Sequence, residues 1–120
     1  MITGMHALIY SGQDADVRAF LRDVLGLPCV DAGGGWLIFE GPPAELAVHP
    51  SAEGSHHEVY LICDDLDATM AELKRKGAEF SRGISEESWG RTTAIRLPGG
   101  SELGLYQAKH PTAFAKRKTS

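Results

Sequence analysis

One pattern constrains this chain more than any other, because it occurs twice. The stretch "DADVRAFLRDVLG" sets Val17, Phe20, Leu21, Val24 and Leu25 at i, i+3, i+4, i+7 and i+8, the stripe of a helix with one buried face. "DDLDATMAELKRKG" sets Leu66, Thr69, Met70 and Leu73 on one helical face in the same manner. Each stripe stops at a glycine, Gly26 or Gly77, which can take the left-handed conformation that ends a helix. Asp14 is expected to cap the first helix by accepting a backbone N–H. In the second, Lys74, Arg75 and Lys76 fill the last turn, where positive charge suits the helix dipole.

Strand signals surround both helices in the same order. In the first half they are "GMHALIYS" (residues 4–11), a weak strand from Cys29 to Ala32, a glycine turn at Gly33 to Gly35, "WLIFE", the breaker "GPP", and "AELAVH". In the second half they are "HEVYLIC", a short strand near Glu79 and Phe80, a loop through Trp89 and Gly90, "RTTAIRL", the turn "PGG", and "ELGLYQ". Each half therefore reads β-α-β-β-β, over about residues 4–50 and 56–107. A repeat of roughly fifty residues is too long for a solenoid and fits a paired-module domain. Residues 1–108 form that single domain, and 109–120 are expected to be a basic flexible tail, with Lys109, Lys116, Arg117 and Lys118 solvated.

At 120 residues and 42% hydrophobic content the chain can bury one core without disulfides. Cys29 and Cys63 lie in or beside apolar stretches, as small buried hydrophobes do in a reducing compartment. A net charge of −4 argues against a nucleic-acid surface. The start "MITGMHALIY" lacks a basic region before a long apolar core, and no run reaches ~18 apolar residues, so neither export nor membrane spanning is expected. The default location is the cytoplasm.

The segments "FLRDVLGL" (20–27), "CDDLDATMAELKRKGAEF" (63–80) and "LPGGSELGLYQ" (97–107), with the duplicated element order, resemble the vicinal oxygen chelate superfamily. That superfamily contains glyoxalase I, bleomycin-resistance proteins and extradiol dioxygenases. The resemblance implies an α+β fold in which two βαβββ modules form half-open sheets facing one another across a cleft. It also implies a homodimer and a small-molecule ligand. In metal-using members the first and last strands of each module each supply a His or Glu, a set suited to Fe(II), Mn(II), Zn(II) or Ni(II) with open positions for substrate oxygens.

Carried onto this chain, the first of those four places falls on His6, although a histidine in an apolar strand is as often a hydrogen-bonded cleft residue. The second falls among Glu45, Ala47 and His49, which share a strand face, and the spacing leaves the choice open. For the third, counting from the strand end gives Glu58 and counting from the helix glycines gives His57. Alternation favours Glu58, which shares a face with Tyr60 and Ile62, while His57 goes with Val59, Leu61 and Cys63, the set expected to pack on helices. The last place matches Gly104. Glu102 lies two residues earlier, ~6.7 Å along the strand, and coordination tolerates errors of only ~0.2 Å.

A metal site of His6, Glu58 and either Glu45 or His49 is thus one expectation. A cleft without metal is equally open. The missing carboxylate at residue 104 would also remove the usual general base of the isomerases. Trp36, Phe39, Tyr60, Trp89 and Tyr106 supply aromatic walls, and Gly104 admits close approach of another group. The expected pocket is Trp36, Tyr60, Trp89, Gly104 and Tyr106. Three functions fit: a metal-dependent lyase, isomerase or dioxygenase; a metal-free binding protein of the bleomycin-resistance kind; or a module serving dimerisation or regulation.

Overall fold

The helical stripe of the first half closes where its pattern stops. In the computed structural model, which describes residues 6–9, 11–45, 47, 52 and 57–113, α1 spans Asp14–Asp23 and Gly26 follows it with a φ of 70°. Val17 is buried, and Phe20, Leu21, Val24 and Leu25 pack against the same core. Asp14 does not cap α1. Gln13 holds the capping position without a side-chain bond, and the Ser11 hydroxyl accepts the Gln13 N–H at 3.0 Å. Asp14 stands one residue too far along to bend back onto the first turn, so it pairs with Arg18 at 2.7 Å instead. That hydrogen bond and the guanidinium charge hold its carboxyl below the usual range.

Strands β1 (Cys29–Asp31) and β2 (Leu37–Phe39) form an antiparallel hairpin that is a two-stranded sheet of its own. Asp31 fastens its glycine turn, accepting the N–H groups of Gly33 at 2.8 Å and Gly35 at 3.3 Å. The strands expected at 4–11 and 44–49 are not formed in their described parts: residues 6–9, 11, 44, 45 and 47 lie in no ladder. Pro42 and Pro43 remove two donors at the entry to the second of these segments. Leu8 and Ile9, 60% and 43% exposed, gain no burial that would fix a strand.

The second half builds a complete module. It comprises β3 (Tyr60–Ile62), α2 (Leu66–Arg75), β4 (Glu79–Phe80), β5 (Ser85–Glu86), β6 (Gly90–Arg96) and β7 (Glu102–Ala108). The sheet runs β3-β7-β6-β4, with β5 also pairing β6; β3 is parallel to β7, and the other pairs are antiparallel. The bridge at β5 falls in what the sequence reads as a loop, because two residues carry no periodicity.

Alternation along the strands places Leu103, Leu105, Ile95 and Leu97 in one core with Leu66 and Leu73 of α2, Ala78, and Val17 of α1. Leu61 and Cys63 pack against it from β3, so the odd-numbered face of that strand is the helix side. Asp65 caps α2 by accepting the Ala68 N–H at 3.0 Å, and the Gln107 side chain accepts the Leu66 N–H at 2.7 Å, fastening α2 to β7. Arg91 ties the other end of the sheet to α2 by bridging Glu86 at 2.7 Å and Asp67 at 3.0 Å.

Ile95 is fully buried in this core. Ile95→Ala is expected to cost about 3 kcal/mol in urea unfolding. Asp65→Ala, which leaves the Ala68 N–H without its acceptor, is expected to cost about 1 kcal/mol.

Candidate functional site

The same alternation that buries Leu103 and Leu105 turns Gly104 and Tyr106 to the opposite face of β7. Register places Tyr60 of β3 beside Gly104 and Ile62 beside Tyr106. From β6 it brings Ala94 to Gly104, Thr92 to Tyr106 and Gly90 to Ala108. Glycine, alanine and threonine on the two longest strands leave this face low, so the aromatic side chains that reach it come close to the backbone.

Tyr60 comes closest. A Cβ built on Gly104 would stand 2.6 Å from Cε1 and 2.8 Å from Cγ of the Tyr60 ring, well inside the ~3.5 Å of ordinary carbon contact. Only glycine fits beneath that ring. Gly90 plays the same part for Tyr106, since a Cβ there would lie 2.9 Å from its Cδ2 and 2.8 Å from the Gln107 carbonyl. Tyr106, itself buried, receives two rings edge-to-face: Tyr60 with centroids 5.9 Å apart and Trp89 at 5.5 Å. Trp89 remains 45% exposed at the rim.

The segment after β7 runs back along this cluster. The Lys109 N–H donates to the Trp89 carbonyl at 2.9 Å, and its ammonium donates to the Glu87 carbonyl at 3.0 Å. His110 Nδ1 lies 2.9 Å from the Pro111 carbonyl, which can only accept, so Nδ1 carries a proton in this contact. Its Nε2 is in hydrogen-bond contact with the Tyr106 hydroxyl. Glu45 of the first half closes the chain: one oxygen lies 3.9 Å from His110 Nε2, and the other accepts the Ala113 N–H at 2.9 Å.

At the Tyr60 end, the hydroxyl donates to Glu58 at 3.5 Å. Arg82, from the connection between β4 and β5, lays Nη1 3.3 Å from the Thr92 hydroxyl and 3.4 Å from its carbonyl. Burial raises the Tyr60 phenol, the Glu58 charge adds to that, and Arg82 opposes it. Burial, then Glu45, raise Tyr106 in the same direction.

The residues singled out from sequence therefore divide. Tyr60, Trp89, Gly104 and Tyr106 meet on one face. Trp36 is exposed at the end of the β1–β2 hairpin. His6 is exposed and has no hydrogen-bond partner among the described residues, and His49 lies outside them. Glu58 and Glu45 meet different members of the aromatic row, Tyr60 and His110. Among the described residues no group of three His, Cys, Asp or Glu side chains converges. A divalent metal needs its ligands within about 2 Å of one point, and His6, Glu45 and Glu58 form no such group among the described residues. Two residues of the face escape a reading by periodicity: Arg82 sits in a loop, and His110 in a terminal segment whose composition suggests only solvation.

A family model described as Glyoxalase/Bleomycin resistance protein/Dioxygenase superfamily matches residues 5–105. No curated protein matches the chain. Among solved structures it is similar to TnmS3, an antibiotic binding protein from Streptomyces sp. CB03234, with 23% identity, 91% of this chain and 99% of that one covered, and a TM-score of 0.64. It is also similar to a lactoylglutathione lyase from Agrobacterium tumefaciens, with 17% identity, 88% and 92% covered, and a TM-score of 0.62. A superfamily member from Sphaerobacter thermophilus DSM 20745 gives 22% identity, 88% and 98% covered, and a TM-score of 0.59. At these identities the likeness is one of fold.

Gly104→Ala should destabilise the protein by about 2 kcal/mol when Tyr60 is present and much less in a Tyr60→Ala background, a coupling that a double-mutant cycle in urea reads directly. The tyrosines give a pH test. Both phenols are raised above the unfolded value of about 10, so the fold favours their neutral form. That contribution is fully present below the unfolded value and is lost as pH rises through the folded ones. Unfolding midpoints should therefore fall at alkaline pH more steeply in the native protein than in Tyr60→Phe/Tyr106→Phe.

Proposed function

The chain belongs to the Glyoxalase/Bleomycin resistance protein/Dioxygenase superfamily, and on that premise we propose that it is a binding protein that takes a planar aromatic small molecule on the Tyr60–Tyr106–Trp89 face without a metal. One observation carries this reading: the Tyr60 ring lies over Gly104, where the superfamily's last metal ligand would project. A carboxylate there and a tyrosine at residue 60 compete for one volume. With the tyrosine in possession, the face offers ring surface where a metal-using relative offers a charged donor. Aromatic walls with a few polar groups at the margin are the usual make-up of a small-molecule site.

Relatives of similar fold include both an antibiotic binding protein and a lyase, so fold does not choose between binding and catalysis. The enzyme reading would need His6, Glu58 and Glu45 or His49 on one ion. Glu45 is engaged with Ala113 and stands beside His110, and Glu58 is engaged with Tyr60. We assign the homodimer to the same reading. Leu8, Ile9 and Val59 are exposed apolar residues that a second copy would cover. No helix among the described residues is long and apolar enough to cross a membrane.

In a Trp36→Phe background, where Trp89 alone reports, a panel of aromatic antibiotics and catechols should quench fluorescence, and Tyr60→Ala should weaken the best binder about tenfold. Binding should persist in a metal chelator. A flat response across the panel, or binding abolished by chelation and restored by Fe(II), Mn(II), Zn(II) or Ni(II), would overturn the reading. Sedimentation should give a particle of twice the 12.9 kDa protomer.

A further inference from the structure

Arg82 is placed over the face that carries the tyrosines, and among the described residues no carboxylate takes up its charge. Its Nη1 donates to Thr92, while Nε and Nη2 have no acceptor, and no carboxylate lies within ion-pair distance of it, among the described residues. Arg91, in the same sheet, shows the contrast: its guanidinium is taken up by Glu86 and Asp67. Thr92 holds Arg82 by two contacts, which fix the guanidinium over Thr92, the residue that pairs with Tyr106. The remaining edge of the fork presents free N–H groups beside aromatic surface.

We propose that Arg82 makes this face selective for planar aromatic acids, with the ring lying against Tyr60 and the carboxylate accepting the free N–H donors of the guanidinium. This rests on the reading of the face as a ligand-binding surface. A guanidinium matches a carboxylate in plane and in donor spacing, and it gives up its water more readily than an ammonium does. Glu58 bounds the choice from the other side of Tyr60, because its hydrogen bond from the Tyr60 hydroxyl sets a negative charge near the same ring. One cation offset by one nearby anion suits a ligand with a single negative charge. It also fixes polarity: the ligand's carboxylate lies toward β6 and its uncharged edge toward Glu58. Arg82 is exposed, so salt should weaken the preference.

The test is equilibrium dialysis of the full chain at low salt against naphthalene-2-carboxylate and naphthalene-2-carboxamide, which share a ring system and differ in charge. The carboxylate should bind about tenfold more tightly, a preference of the size that a charge-assisted hydrogen bond at a partly solvated site gives. Arg82→Gln should remove the carboxylate's advantage, the remaining Glu58 charge leaving the carboxamide at least as tightly bound, and continued binding of the carboxamide certifies the fold. Arg82→Lys should keep part of the preference, and Glu58→Gln should enlarge it. Equal binding of the two probes to the native chain, or a preference that survives Arg82→Gln, would overturn the role of Arg82 and leave the aromatic face standing as a site. Failure of both probes to bind would bring down the site itself, and the selectivity with it.

Discussion

Seven consecutive residue pairs join β6 to β7, from Gly90↔Ala108 to Arg96↔Glu102, and the two faces of that ribbon have opposite tasks. On one, Ile95, Leu97, Leu103 and Leu105 are almost wholly buried under α2 and α1, which secures the register against slippage, since a shift of one residue would exchange the faces. Because the core face holds the register, the other can carry glycine and small residues that contribute little to sheet stability. β3 then joins the free edge of β7 in parallel and brings Tyr60 to its station. Tyr60, Gly90, Gly104 and Tyr106 are placed by this arrangement.

The site follows from a competition for volume. Two glycines lower the floor, two tyrosines lie against it, and Trp89 stands at the rim. The segment 109–113 then binds this cluster to Glu45 of the first half through His110 and the Ala113 N–H. The tyrosine hydroxyls are engaged by Glu58 and His110, so what the face presents is chiefly ring surface, with Arg82 as a cation that no carboxylate among the described residues answers.

Much of this was legible in the sequence, for reasons that also mark the limit. Helix stripes closed by Gly26 and Gly77 are local patterns, and so is the triple-glycine turn fastened by Asp31. The period of two separated Tyr60 and Ile62 from Leu61 and Cys63 before any partner strand was known, because that alternation is a property of the strand itself. Asp14 shows how a single residue of offset defeats a capping inference. Residues 6–9, 44, 45 and 47 show that an apolar run does not become a strand unless a partner supplies ladder bonds. The hole at Gly104 could be read as an absence. What fills it could not, because the sequence assigns a side chain to a face but does not say where its ring will lie. Arg82 and His110 act through loops, where no periodicity speaks for them.

The contact between Tyr60 and Gly104 also bears on how such a chain can change over generations. An acidic side chain at residue 104 meets the tyrosine ring, and loss of the ring alone leaves bare backbone on an open sheet face. Either step toward a carboxylate at residue 104 is thus disadvantageous when taken first, and only the two together give a well-filled face. A lineage carrying this pair is held in a valley-bounded region of sequence space. Selection acting one substitution at a time will more readily elaborate the aromatic surface than place a donor at residue 104.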